Sequence, residues 1–392
     1  MNVTILPGTL KGAVTPPSSK SQTHRAVLAL MLAQGEGKLS NLAVSEDIQA
    51  TQDCVAALKS GHPAQADGLP LLDCGESGST LRFLIPVALA VRAGGVFTGH
   101  GRLMERPQGP YADLFREQGI SWEQRDGVLT VQGRLSPGEY LLPGNVSSQF
   151  FTGLLFALPL LDAPSAVLSS TEIESREYIT MTMEAMRQAG ISVAEKPGLR
   201  GFEVLPAAYC PFAGAVEADW SQAAFWYAAN FLGSPVEIQG LNPLSAQGDL
   251  AVASLYWRLA RPGDREIDVS GCPDLLPPLA VMAAVRQGTV RFVHAARLRL
   301  KESDRLQTTA AMLQALGGTV EEGADSLTVQ GQPQLLGGTV DGANDHRIVM
   351  AAAVAATACA GSVTVLGAEA VHKSYPDFFT VYQALGGAFH VL

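Results

Sequence analysis

One apolar block recurs six times along this chain, and that recurrence restricts the fold more than any other feature. Each copy is a helix-length apolar run opened by a polar turn rich in Ser, Gly or Asp. The copies are SKSQTHRAVLALMLAQG from Ser19, ESGSTLRFLIPVALAV from Glu76, NVSSQFFTGLLFALPLL from Asn145, DWSQAAFWYAANFLG from Asp219, PDLLPPLAVMAAVRQG from Pro273 and NDHRIVMAAAVAATACAG from Asn344. Their starts lie roughly 55 to 75 residues apart. A second block, an amphipathic helix that usually stops at Gly, alternates with the first: EDIQATQDCVAALKSG, ERPQGPYADLFREQG, SREYITMTMEAMRQAG, GDLAVASLYWRLA, KESDRLQTTAAMLQALGG and HKSYPDFFTVYQALGG. Short alternating runs follow, and DGVLTVQG and DSLTVQG nearly coincide, as half-buried antiparallel strands would.

Each repeat therefore reads strand, buried helix, strand, amphipathic helix, strand, strand. The apolar helices are too hydrophobic to face water, so the expectation is an α/β chain of two domains with three repeats each, helices inside and sheets outside. A chain of 392 residues is also too long for one ordinary core. The expected domains are residues 19–217, and residues 1–18 with 218–392.

Composition removes several function classes. The net charge of -10 disfavours nucleic-acid binding and anionic membranes, so any anion must be held by a local basic cluster. Five scattered cysteines without CxxC spacing point to a reducing compartment and give no zinc signal. The start, MNVTILPGTLKG, lacks a basic region followed by an apolar one, so no secretory leader is expected. The uncharged run 348–368 is too rich in Ala, Thr and Gly to favour a bilayer. A cytoplasmic protein is expected, monomeric because nothing reads as an oligomer face. GEGKLS at Gly35 is not a P-loop, GESGST is not a nucleophile elbow, and no GxGxxG follows a strand. The seven histidines form no HExxH or dense cluster, so no protein metal site is expected. No cofactor is expected either.

What remains is the helix heads. A helix N-terminus presents unsatisfied N–H groups and the positive end of the macrodipole. Taken singly, a Ser or Asp there is a cap. Here cations and hydroxyls recur at equivalent heads: Lys20, Ser21 and Arg25; Ser77, Gly78 and Ser79; Ser147, Ser148 and Gln149; His346 and Arg347. The amphipathic helices add Arg106, Ser175, Tyr178, Lys301, Arg305 and Lys373. A cleft lined in this way suits small polyanions, with Arg gripping carboxylates and phosphates bidentately.

In order and spacing, PSSKSQTHR, ESGSTLRFL, ERPQG, GNVSSQF, KESDRL, NDHR and HKSYPDFF resemble the motifs of the 5-enolpyruvylshikimate-3-phosphate synthase (EPSP synthase) family across essentially the whole chain. The resemblance implies a two-domain inside-out α/β barrel with three βαβαββ repeats per domain and the active site in the interdomain cleft. It also implies transfer of the enolpyruvyl group of phosphoenolpyruvate to the 5-hydroxyl of shikimate 3-phosphate, with release of phosphate, in the shikimate pathway toward chorismate and the aromatic amino acids. Carried over by motif, Ser147, Ser148, Ser175 and Lys301 hold the shikimate phosphate, with Gln149 beside the ring and Tyr178 near that phosphate. Ser21 and Arg25 take the shikimate carboxylate, and Lys20 and Asp274 also contact shikimate 3-phosphate. Lys20, Gly78, Arg106, Arg305, Arg347 and Lys373, with Gln149, form the phosphoenolpyruvate clamp. Asp274 and Glu302 supply acid–base work, with Lys20 as the alternative proton donor. The chain departs from the family pattern at Ser303, Arg297 and Phe83. Two rivals stay open. The related transferase acting on UDP-N-acetylglucosamine usually carries a Cys shortly before the Arg106 position, and GHGRLMERP has none. A non-catalytic phosphometabolite-binding protein has no use for Asp274 and Glu302.

Overall fold

The computed structural model describes the chain from Met1 to Leu392 except residues 63, 66, 67, 197 and 199. It is a mixed α/β protein that divides into two compact units, Ser19–Val216, and Met1–Ser18 with Glu217–Leu392. Glu217, expected with the 19–217 segment, belongs to the second unit: its carboxylate accepts hydrogen bonds from Asn242, Ser245 and Gln247.

In the 19–216 unit the helices are α1 (Lys20–Leu32), α2 (Glu46–Ser60), α3 (Gly78–Arg92), α4 (Gly109–Glu117), α5 (Ser148–Ala157) and α6 (Arg176–Gln188). Two four-stranded sheets share one plan. In the first, Leu71–Asp73 lies parallel to Gly94–Thr98, which pairs antiparallel with Val128–Gln132 and through it with Ser121–Arg125. In the second, Glu139–Leu142 is parallel to Ser165–Ser169, followed by antiparallel Gly201–Val204 and Val193–Lys196. A parallel strand pair needs a crossover, and α3 and α5 supply it. Both are buried almost throughout and pack on each other. Their close approach depends on Gly153, where a Cβ would stand 2.4 Å from the Arg82 carbonyl oxygen. Pro86 inside α3 cannot donate to that same carbonyl, four residues back. The Tyr111 hydroxyl takes over, within reach of both the Arg82 oxygen (3.1 Å) and the Phe150 oxygen (2.7 Å).

The other unit contains α7 (Trp220–Phe231), α8 (Val252–Ala260), α9 (Leu276–Ala284), α10 (Arg305–Ala315), α11 (His346–Ala355) and α12 (Phe378–Ala384). Helices α7, α9 and α11 pack on one another, and every residue of α9 and α11 is buried, as all-round apolar helices require. The plan of the sheets repeats: Arg265–Asp268, Thr289–Val293, Ser326–Gln330 and Thr319–Glu322 form one. In the other, Gly338–Asp341 is parallel to Val363–Leu366, and the N-terminal strand Val3–Ile5 pairs antiparallel with both Val363–Leu366 and Phe389–Val391.

Of the six expected repeats, the one around α7 and α8 is shorter than the sequence suggests, and the one around α1 and α2 falls partly on residues 63, 66 and 67, outside the described residues. Among the described residues, the strands around α1 and α2 are the parallel pair Ala213–Ala215 with Lys38–Ser40, with an isolated antiparallel bridge between Ala64 and Pro70 after α2, and those around α7 and α8 are Gly12–Val14 with Val236–Ile238. After α8 the chain runs directly into Arg265–Asp268, which opens the next sheet, so no hairpin can follow.

Equivalent positions carry equivalent devices. Arg92 donates to the Leu58 and Lys59 carbonyls at the end of α2, and Arg286 donates to Leu259, Arg261 and Gly263 at the end of α8. Each closes orphan carbonyls at a helix C-terminus with a cation of the right sign for the dipole. The second LTVQG run ends at Gly331, where a Cβ would fall 1.7 Å from the Arg286 carbonyl oxygen. Gly331→Ala is expected to destabilise this unit by about 3 kcal/mol, because only a backbone shift relieves the overlap. A lowered urea midpoint with unchanged slope is the readout.

Candidate active site

In the 19–216 unit the predicted residues gather at helix heads. Ser19, Ser77 and Ser147 are the N-caps of α1, α3 and α5, each accepting from a backbone N–H of its own first turn. Lys20 and Gly78 are the first residues of their helices, and Lys20 Nζ lies 2.8 Å from Asp47 Oδ2 at the head of α2. Arg25, 2% exposed, donates to the Thr182 hydroxyl (2.9 Å), the Ser21 carbonyl (2.7 Å) and, at 3.5 Å, the Thr152 hydroxyl. Its guanidinium also stands over the Phe83 and Tyr178 rings. Among the described residues no carboxylate pairs with it, and burial lowers its pKa to about 10. Arg106, 8% exposed, lies so close to Gly78 that a Cβ there would be 2.7 Å from Nη1. Among the described residues its Nε finds no hydrogen-bond partner. Buried cations facing neutral acceptors cost free energy until an anion arrives.

Ser148 is buried in the first turn of α5, and the Gln149 carboxamide bridges Ser79 Oγ (3.0 Å) and Arg82 Nη1 (2.8 Å). Ser175, at the N-cap position of α6, is held at φ 53°, a left-handed conformation uncommon for Ser, with its side chain buried.

The second unit holds a different cluster. Asp274 takes three cations: Arg305 at 2.8 Å and Lys301 at 3.3 Å on Oδ1, and Arg347 at 3.0 Å on Oδ2. Arg305 is buried and also meets Glu302 at 2.5 Å and Asp345 at 2.9 Å. Asp345, fully buried, caps α11 by accepting from the Arg347 N–H and also accepts from Ser303 Oγ. Arg347 reaches Ser221 Oγ at the head of α7, and Lys373 donates to the Asn344 carbonyl at 2.8 Å. Burial alone raises the Asp274 carboxyl, but Arg347, Lys301 and Arg305 outweigh it and hold the group well below the usual carboxylate range. Asp249 shows the opposite balance: burial, then the Asp274 charge, push it up to about 7 despite Arg347.

Three placements differ from the sequence reading. Lys301 and Glu302 are not in the first turn of a helix: a 3-10 turn spans 296–300, Asp304 is the N-cap, and only Arg305 lies within α10. Lys373 ends the 3-10 stretch 368–373, well before α12. Arg106 follows the short 3-10 turn Leu103–Glu105 and precedes α4 by two residues. Sequence reasoning passed over Asp345, Asp249, Asp47 and Arg82. Asp345 was legible as the cap in NDHR; Arg82 had no signal beyond being a cation inside an apolar run.

Buried and clustered cations at the ends of apolar helices define the class: an α/β protein suited to small, multiply charged anions. The profile of the EPSP synthase (3-phosphoshikimate 1-carboxyvinyltransferase) family matches residues 6–382. The chain is 39% identical over 422 aligned positions to a 3-phosphoshikimate 1-carboxyvinyltransferase of Clostridium acetobutylicum, covering 99% of this chain and 98% of that one. Its identity to the enzyme of the same name from Clostridium novyi is 37%, with 98% of each covered. Among solved structures, EPSP synthase from Acinetobacter baumannii shares the fold at a TM-score of 0.79 and 22% identity, each chain fully covered. The enolpyruvyl transferase NikO from Streptomyces tendae does so at 0.75 and 15%, covering 99% of this chain and 98% of its own. This chain belongs to the EPSP synthase family. Among the described residues no helix is long and apolar enough to cross a membrane, and no group of three His, Cys, Asp or Glu side chains could hold a metal ion.

The raised Asp249 group has a consequence for stability. Between about pH 4 and 7 the folded chain keeps a proton that the unfolded chain has released, so this group removes stability as pH rises through that window. Asp249→Asn abolishes the term. Its stability relative to the parent, from urea titrations, is expected to improve by on the order of 4 kcal/mol between pH 4 and pH 8.

Proposed function

We propose that this chain transfers the enolpyruvyl group of phosphoenolpyruvate to the 5-hydroxyl of shikimate 3-phosphate and releases inorganic phosphate by addition and elimination. Its family membership and the names of its relatives support the reaction. The repeated sheet plan supports an inside-out α/β barrel in each unit. In this reading the 19–216 unit binds shikimate 3-phosphate, through Ser21 and Arg25 on the carboxylate and Ser147, Ser148, Ser175 and Tyr178 around the phosphate and ring. Lys301 adds a charge-assisted contact to that phosphate. Lys20, Gly78, Arg106, Gln149, Arg305, Arg347 and Lys373 grip phosphoenolpyruvate.

The observation that carries the reading is the triple cationic grip on Asp274. A carboxylate so depressed is a poor base. Arrival of two polyanions gives Arg347, Lys301 and Arg305 new partners, and each contact they transfer raises Asp274 toward useful basicity. Asp274 then accepts or orients the 5-hydroxyl proton as the oxygen attacks C2. C3 gains a proton in the addition and loses one as phosphate departs, so a single group can serve both steps. Glu302, against Arg305, and Lys20, against Asp47, are the candidates. The guanidinium groups stabilise the charge moving onto the leaving phosphate.

Phosphate release that requires both substrates tests the reaction; binding of both without turnover overturns it in favour of a binding protein. A second test targets the clamp. Gly78→Ala places a methyl against the Arg106 guanidinium. The KM for phosphoenolpyruvate is expected to rise about tenfold or more, with little change in shikimate 3-phosphate binding by calorimetry.

A further inference from the structure

Arg82 and Arg92 are the only charged residues of α3, and Arg82 sits in the middle of its apolar run, 4% exposed. We infer that Arg82 is a positioning residue for the transfer reaction: it orients the Gln149 carboxamide, while its contacts to the segment after Arg106 hold its own guanidinium in place. The inference rests on the reaction proposed above, because it assigns a role to a residue beneath that site rather than in it.

A guanidinium has only donors. Its Nη1 lies 2.8 Å from Gln149 Oε1, so the carboxamide must turn its oxygen toward Arg82. The other end, Nε2, is thereby committed to Ser79 Oγ at 3.0 Å, one residue past Gly78. Without Arg82 the two ends of the amide are sterically equivalent, and nothing in this pair of contacts distinguishes them. The remaining donors hold a second segment. Nη2 reaches the Pro107 carbonyl at 2.9 Å, the residue after Arg106, and Nε reaches Gln108 Oε1 at 3.4 Å, at the head of α4. The flat of the guanidinium rests 4.7 Å from the Phe150 ring centroid, next to Gln149 in the chain. One rigid fork thus ties the heads of α3, α4 and α5 together. A lysine, with a single ammonium on a flexible stem, cannot make divergent planar contacts of this kind. The backbone secures the fork as well, since the Tyr111 hydroxyl bridges the Arg82 and Phe150 carbonyls.

Two readouts separate positioning from a merely structural role. The first needs no substrate. The side-chain NH2 resonances of Gln149, assigned by their disappearance in Gln149→Ala, are expected to be dispersed in the unaltered protein. They should move toward free-amide positions in Arg82→Lys and Arg82→Met. Resonances that stay in place in a folded variant overturn the inference. The second is a cycle of kcat/KM for phosphoenolpyruvate. Arg82→Lys is expected to lose about 10- to 100-fold in the parent but under about threefold in a Gln149→Ala background, because the residue it positions is gone. Equal losses in both backgrounds would mean that Arg82 acts through the segment after Arg106 or through general stability rather than through Gln149, and the inference falls. If Arg82→Met does not fold, Arg82→Lys carries both measurements. Absence of turnover in the unaltered protein defeats the reaction reading alone, and the resonances still decide whether Arg82 orients Gln149.

Discussion

The 217–392 cluster depends on one buried pairing, Asp345 with Arg305. Asp345 is fully buried and performs three tasks at once. It caps α11, accepts from Ser303 and holds Arg305 at Nε and Nη2. A buried charge is tolerable only when it is paired and its lone pairs are used, and here they are. With Arg305 locked on that side, its Nη1 is aimed at Asp274 and its Nη2 also reaches Glu302. Asp345 and the nearby carboxylates raise Arg305 above the ordinary guanidinium range against the effect of burial, so it stays charged under all working conditions. The acid–base candidates Asp274 and Glu302 are therefore set by a carboxylate that is itself out of reach of solvent.

The 19–216 unit handles its cations in the opposite way. Arg25 faces hydroxyls, a carbonyl and two aromatic rings, with no carboxylate paired to it among the described residues, and burial draws its pKa down to about 10. Arg106 lies buried against Gly78. Neutral acceptors and ring faces hold a guanidinium in place at modest strength and leave its charge unneutralised. One unit thus holds Arg305, Arg347 and Lys301 in ion pairs that anions must displace, whereas in the other Lys20 is paired with Asp47 but Arg25 rests on neutral groups. His24, beside Arg25, shows the cost: burial, then Lys20 and Arg25, push its pKa well below the ordinary value, so it remains neutral and bonds to Thr51.

Much of this was legible in the chain. Apolar runs such as Leu276–Ala284 and His346–Ala355 declare buried helices because no amphipathic face exists to meet water. A Ser opening an apolar run is most simply a cap, and Ser19, Ser77 and Ser147 each cap their helix. The family motifs were visible because their residues are adjacent in sequence. The hairpin expected after α8 is absent among the described residues, because the chain runs straight into Arg265–Asp268, whereas the one expected after α2 falls partly on residues 63, 66 and 67, outside the described residues. The sequence places the start of α10 too early because Lys301 and Glu302 look like a first turn, whereas residues 301–303 form bends, with Lys301 paired to Asp274 and Glu302 to Arg305, before Asp304 caps the helix.

By itself the amino-acid order determined the repeated helices, their caps and the types of side chain at their heads, because periodicity and capping are local properties of the backbone. Only the tertiary structure decided which charges meet. Asp345 with Arg305, Arg347 with Asp274 and Arg82 with Gln149 are separated by 40, 73 and 67 residues. Pairings across such distances follow from how buried helices pack, and the energy of a charge depends on the neighbours and dielectric that packing supplies.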